Sequence, residues 1–317
     1  MKKTFVLLVL AVLGISYAQT CDAGFRLFDH PALVNTPVCI PENPQRIVTL
    51  QDQNALLPLY ELGFRGVVGS VGAETPDGVS FFRRMDDYDT SSITYVGRYG
   101  TPNLEAILAL SPDLIIGPNR HEDIAEQLSE IAPTLLLDVF AQPLPETMAI
   151  FADIVGTEAR LADLQQQYNT RVAEVSAARD ANGFDTVSMV IFLDDATFLI
   201  EPSGSVTEML QAVGFSFPPP VQEVVASGER GNFSVEVLND FDTDLFLWPY
   251  FGMDASADRA PALRQSPLWI TLNVVKSGNA HAINGERWYG LSFGNLLKAL
   301  EDIETFVTTS SPAESSQ

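Results

Sequence analysis

Residues 103–122, NLEAILALSPDLIIGPNRHE, change character three times, and their reading decides the fold. Leu104, Ile107 and Leu108 fall at helical spacing. A Ser-Pro pair closes that stretch, since a residue before proline is pushed out of helical conformation. LIIG, after Asp113, is a short apolar strand, and the polar loop PNRHE sets Arg120 beside the strand's carboxyl end. The unit recurs at 233–251, FSVEVLNDFDTDLFLWPYF, where Glu236, Leu238, Asp244, Leu245 and Pro249 repeat the spacing of Glu105, Ile107, Asp113, Leu114 and Pro118. A second echo pairs NALLPLYELGF at 54–64 with SVTEMLQAVGF at 205–215, each closing a helix on Gly-Phe. Two echoes in the same order predict two similar α/β lobes.

Outward from this unit, strand and helix alternate. RIVTL at 46–50, NALLPLYELGF, GVVGS, the helix at 103–110, DLIIG, HEDIAEQLSEI and TLLLD follow one another. That alternation predicts a parallel sheet flanked by helices. A long helical stretch runs from about Pro145 through Asp180, and alternation restarts with TVSMVIFL at 186–193. The expected division is a leader at 1–18, an N-terminal segment at 19–45 and a first lobe at 46–144. A connecting helical segment at 145–182, a second lobe at 183–307 and a disordered polar tail at 308–317 complete it. The fold class is α/β, with two Rossmann-like lobes built on mainly parallel sheets. Ligands of such sheets meet the loops beyond the strands' carboxyl ends. This predicts a cleft with Arg120 on one wall and Trp248 and Tyr250 on the other, although aromatics after a buried strand also pack into their own lobe.

The first residues read as a secretory leader. Lys2 and Lys3 precede an apolar run from Phe5 to Ile15 and the small-residue stretch Ser16-Tyr17-Ala18, which places the mature start at Gln19. Export to an oxidising compartment predicts a disulfide between the two cysteines, Cys21 and Cys39, worth about 3 kcal/mol in the chain-entropy model. Lipid attachment at Cys21 is the rival reading; Ala18-Gln19-Thr20 lacks the small residue usual before a lipidated cysteine. The formal charge is −23, and loss of Lys2 and Lys3 with the leader takes it to −25. So acidic a chain is not built to bind nucleic acid or an anionic membrane. After the leader only Lys276 and Lys298 are lysines and the other basic residues are arginines, whose planar fork suits chelating oxygens. Walker, dinucleotide-glycine and nucleophile-elbow motifs are missing, so no enzyme activity is expected. His30, His121 and His281 come from separate parts of the chain and predict no direct metal site.

From Arg46 to Phe306 the chain resembles the periplasmic binding proteins of ABC importers for iron–siderophore complexes, cobalamin and haem. PQRIVTL, GRYGTPNLEAILALSPDLII, LSEIAPTLLLD, SPLWITLNVVKSGNAHAI and RWYGLSFGNLLKALEDI carry the resemblance in order. It implies lobes joined by a long rigid helix near 145–160, small closure on ligand, no intrinsic cofactor, and a monomer working in the periplasm. A lipid-anchored protein at the cell surface is the alternative. It also implies that Glu105 and Glu236 dock an inner-membrane permease; both also suit the first turn of a helix. Arg120 matches an arginine that meets catecholate siderophores, and Trp288-Tyr289 match a pair whose tyrosine reaches ligand or iron. Two further arginines of that group would fall near Val206 and Pro249-Tyr250 and are not present. The resemblance therefore implies a less charged chelate, a hydroxamate, mixed or carboxylate type. Arg98 and Tyr99 border the same cleft, or form a surface loop pair; Tyr99 lies one position from an axial tyrosine of haem-binding members, so haem, or cobalamin, is the alternative cargo. Arg83 and Arg84 add positive potential unless Asp86 and Asp87 neutralise them.

Overall fold

The computed structural model describes residues 20–140, 142–252 and 259–310. The leader and residues 311–317 of the expected tail lie outside them. Strand β1 (Phe25–Phe28) pairs antiparallel with β2 (Val38–Pro41), and a disulfide joins Cys21 to Cys39. Beyond this hairpin lie β3 (Ile47–Thr49), β4 (Val67–Glu74), β5 (Ser80–Phe81), β6 (Thr94–Arg98), β7 (Thr101–Pro102), β8 (Leu114–Pro118) and β9 (Thr134–Leu137). They form one sheet of order β7-β6-β4-β3-β8-β9, with β5 on β4. The central pairs β6/β4, β4/β3, β3/β8 and β8/β9 are parallel. Every residue of β3, β8 and β9 is buried, as a sheet covered on both faces requires. The chain starts at the centre with β3, runs outward through β4 to β6, then crosses to β8. Strand order therefore reverses between β3 and β8, where such sheets open a crevice.

The second lobe holds β10 (Val187–Met189), β11 (Ile191–Phe192), β12 (Thr197–Ile200), β13 (Gly231–Ser234), β14 (Leu245–Tyr250) and β15 (Ala280–Asn284). β10-β14-β15 is parallel and β11-β12-β13 antiparallel. The sequence echo has a physical basis. Asp113, at the entrance of β8, accepts the backbone N–H groups of Gln45 (2.7 Å) and Arg46 (3.0 Å), just before the neighbouring β3. Asp244, at the entrance of β14, accepts those of Asp185 (3.0 Å) and Thr186 (2.8 Å), just before the neighbouring β10. One carboxylate in each lobe thus pins the start of the adjacent parallel strand and sets its register. The paired Gly-Phe sequences also act alike: Gly63 (φ 84°) and Gly214 (φ 95°) take the left-handed conformation that ends a helix without a Cβ clash.

The connecting segment is two helices, Leu144–Val155 and Glu158–Asn182. Gly156, at φ 69° and ψ 44°, ends the first, so the long helical segment expected from about Pro145 is interrupted there. The longer piece carries 25 residues and spans roughly 37 Å at 1.5 Å per residue. It packs along the C-terminal helix Phe293–Thr309, with Tyr168 5.5 Å from Phe293 and Arg171 paired to Glu304. That helix runs two residues beyond the expected end of the lobe. The buried carboxylate of Glu61, on the first-lobe helix Leu57–Glu61, accepts the N–H groups of Phe293 (3.0 Å) and Gly294 at its start. It thereby fills two of the four donors that a helix N-terminus leaves without partners.

Candidate functional site

The carboxyl ends of β3, β6 and β8 carry the groups that build the first wall. After β6 the chain turns tightly through Arg98-Tyr99-Gly100 into β7, with Arg98 opposite Thr101. The Tyr99 N–H donates to the Gly72 carbonyl at 2.9 Å, fixing the turn to β4. Gly100 sits at φ 89°, and a Cβ there would lie 3.1 Å from Arg120 Nη2, so side-chain bulk and the approach of Arg120 exclude each other. Arg120, in the helical turn Asn119–Ile124 that follows β8, lays its guanidinium 4.4 Å from the centre of the Tyr99 ring. Arg83 approaches the same ring at 5.3 Å. Such contacts hold a cation in place at about 0.5–1 kcal/mol each near a surface. Arg98 and Arg120 are exposed and Tyr99 is half-buried. The sequence-predicted trio on this wall is therefore brought together.

Sequence reasoning missed the group that organises this wall. Asp52 lies in a π-helical turn, Asp52–Leu56, at the carboxyl end of β3, and its side chain is fully buried. Arg83 donates to it from Nη2 (2.6 Å), Nε (3.0 Å) and the backbone N–H (2.9 Å). A buried carboxylate met by a two-pronged guanidinium fixes the arginine in angle as well as position. The one available signal was location, a carboxylate directly after the first strand in the motif QDQN. Arg83 is neutralised, though by Asp52 rather than by the adjacent Asp86 and Asp87.

The second wall departs from expectation at Trp288, and Trp248 follows the alternative left open for it, packing largely within its own lobe. Trp288 is fully buried, and its indole N–H donates to Asp302 at 2.7 Å, so it is a core residue of the second lobe and does not face the cleft. Trp248 is half-buried among rings, 5.1 Å from Trp269 and 6.4 Å from Phe192, with the Arg264 guanidinium 5.5 Å from its ring centre. Packing within its lobe explains most of its surface. One side still lines a cavity of about 130 Å³ with Tyr250, Phe251 and Arg259. Tyr250 is half-buried there, whereas Tyr289, also half-buried, lines a separate cavity with Glu201 and meets Phe251 edge-on at 5.4 Å. Burial, and then the charge of Glu201, push the Tyr289 hydroxyl well above the usual tyrosine range, with Arg84 opposing. That disfavours its phenolate.

Glu105 and Glu236 occupy matching places. Each is exposed in the first turn of a short helix, behind the capping residues Asn103 and Ser234. Leu108 and Val237, beside them, are exposed too. His121 is buried, and burial followed by the charge of Arg120 lowers its affinity for a proton. Among the described residues no three or more His, Cys, Asp or Glu side chains are grouped to hold a metal ion.

Against known proteins, the model of the periplasmic binding protein family matches residues 77–284. The probable siderophore-binding lipoprotein YfiY of Bacillus subtilis is 30% identical over 279 residues, covering 84% of this chain and 83% of that protein. The Fe(3+)-citrate-binding protein YfmC of the same organism is 27% identical, covering 77% and 75%. The crystal structure of Staphylococcus aureus SirA complexed with staphyloferrin B superposes with a TM-score of 0.73 at 25% identity, covering 90% of this chain and 99% of that one. The SirA superposition covers 90% of the chain, so the two share this mixed α/β fold.

Proposed function

Because the chain belongs to the periplasmic binding protein family, we propose that it captures a ferric siderophore between its lobes and delivers it to an ABC importer. It is a substrate-binding transport component and not an enzyme. The observation that carries the ligand reading is the Arg120–Tyr99 stack beside exposed Arg98, at the carboxyl ends of β8 and β6. Two guanidinium groups without a carboxylate partner in the described structure offer planar donor forks to anionic oxygens. Tyr99, Tyr250 and Phe251 offer apolar faces to the organic part of a chelate. No bond to the protein is made or broken; iron arrives as cargo inside its chelate.

This balance fits a chelate with a few anionic oxygens better than a trianionic tri-catecholate, for which more unpaired arginines would be favourable in a partly desolvated cleft. A relative named for ferric citrate supports the carboxylate type, and the relatives described above give no support to haem. Glu105 and Glu236 are the groups we assign to the permease, one on each lobe. Among the described residues no helix is long and apolar enough to cross a membrane, and the leader at 1–18 is assigned to export.

The test is a tryptophan-fluorescence titration with ferric citrate, a ferric hydroxamate, a ferric catecholate and haem, with cobalamin as control. Trp248, which lines a cavity with Tyr250, Phe251 and Arg259, would report a metal complex bound beside it. Saturable quenching by a ferric chelate is expected. A flat response to every ferric chelate, repeated by equilibrium dialysis of iron, would reject the proposed cargo.

A further inference from the structure

The loop after β5 turns consecutive arginines to opposite walls. Arg83 faces Asp52 and Tyr99 in the first lobe, whereas Arg84 crosses to the second and places Nε 3.3 Å from Glu286 Oε2. Arg84 is at φ 61°, a left-handed conformation that costs energy for a long side chain and is kept only where surroundings enforce it. Its side chain passes 3.5 Å from where a Cβ on Gly290 would stand, so that turn is open for it. The Arg84 side chain is only 9% exposed, yet its Nε–H, buried and at ion-pair distance from Glu286, is not aligned with any acceptor. Glu286 is 34% exposed on its side, at the start of helix Gly285–Trp288. Arg84 also lies close enough to Tyr289 for its charge to favour ionisation of that hydroxyl against burial.

A buried cation is normally held by aligned hydrogen bonds, as Asp52 holds Arg83. Arg84 has a carboxylate at hand but no hydrogen bond to it, and that carboxylate can swing into water. We propose that Arg84 is a ligand-binding and specificity-determining residue of the cleft, and that Glu286 stands in for the ligand's anionic oxygens until a chelate displaces it. This deepens the siderophore reading and rests on it. A chelate carrying carboxylates supplies the acceptors that Nε–H lacks and releases Glu286 to solvent. A cationic chelate cannot replace Glu286 and gains nothing from Arg84. The pair therefore sorts ferric chelates by charge.

Affinity for ferric dicitrate, an anionic probe, and for ferrioxamine B, a cationic one, is measured for the parent, Glu286→Gln, Arg84→Gln and the double variant. Removing the competing carboxylate tightens ferric dicitrate about threefold to tenfold, the scale of one partly screened charge at close range. Arg84→Gln weakens ferric dicitrate by about tenfold, the scale of one charged hydrogen bond. In the double variant the gain from Glu286→Gln disappears, and ferrioxamine B moves the other way: Glu286→Gln, which leaves the Arg84 charge unpaired, weakens it, and Arg84→Gln does not. If the pair were only a strap between lobes, Glu286→Gln would lower the melting temperature and move both probes alike, or move neither. That result overturns this inference while the parent's chelate binding stands. A parent that binds neither probe, or the cationic one alone, overturns the anionic-chelate reading beneath it as well.

Discussion

Glu61→Gln should make the protein less sensitive to pH between 5 and 8. Glu61 is 4% exposed and faces the N-terminus of the C-terminal helix through Phe293 and Gly294. Arg160 donates to its backbone carbonyl at 3.4 Å and acts on its carboxyl by charge, while Glu61 in turn helps to raise Tyr88. Burial is the largest influence and pushes the carboxyl up from 4.5 to about 7, against the opposing hydrogen bonds from Gly294, Ser292 and Phe293 and the charge of Arg160. The folded state therefore holds this proton more tightly than the unfolded chain. Its contribution to stability is full below pH 4.5, declines as pH rises, and is lost once pH passes about 7. At about 1.36 kcal/mol per pH unit, an interval from 4.5 to about 7 corresponds to about 3 kcal/mol. The amide of the variant would keep only one of the two acceptor oxygens, a constant cost of about 1 kcal/mol at every pH. Urea unfolding of parent and variant from pH 5 to 8.5 separates the two effects. The parent should lose about 3 kcal/mol relative to the variant across that range. A difference that stays constant with pH would refute the claim that burial holds the Glu61 carboxyl protonated up to about pH 7.

Arg120→Ala should weaken a ferric chelate by about tenfold without lowering the melting temperature, since Arg120 is exposed and its loss removes a charged hydrogen bond to ligand. Tyr99→Phe should keep most of the affinity and Tyr99→Ala should not, because the ring face holds the guanidinium; equal losses by titration calorimetry would deny that role. Replacing Cys21 and Cys39 by serine opens a closure spanning 18 residues and should cost about 3 kcal/mol in calorimetric unfolding, with chelate affinity unchanged. Glu105→Ala combined with Glu236→Ala should leave chelate binding intact but impair iron uptake by cells; normal uptake would remove both from the docking surface.

The alternation of strand and helix was legible because fully buried parallel strands leave continuous apolar runs, and LIIG and TLLL are such runs. The echo was legible for a reason that local pattern does not reveal: Asp113 and Asp244 perform the same long-range task in each lobe. The Arg120–Tyr99 contact could be placed because both residues follow strand ends on one side of the sheet. The Asp52–Arg83 and Arg84–Glu286 pairs could not, since their partners stand 31 residues apart in one case and on different lobes in the other. Trp288 was misplaced because it was carried over from the family resemblance as one pair with Tyr289. Asp302, 14 residues later, draws its indole into the core. The break at Gly156 was visible as a glycine, but its left-handed φ of 69° belongs to the folded backbone.

The N-terminal hairpin has a consequence for the order in which the molecule is completed. Leu33 bridges Leu137, the Val34 N–H donates to the Leu136 carbonyl at 2.9 Å, and Asn35 donates from its side chain to Thr134, so this segment closes the open side of β9. Arg26, paired with Asp153 at 2.9 Å, ties the hairpin to the first connecting helix. An unpaired strand edge is a template for joining another chain. Asn35 leaves the ribosome 99 residues before Thr134, so the cover is made well ahead of the edge it protects. The Cys21–Cys39 bond holds the two ends of the hairpin together, so the cover over β9 stays tethered to the lobe it seals once the chain is folded.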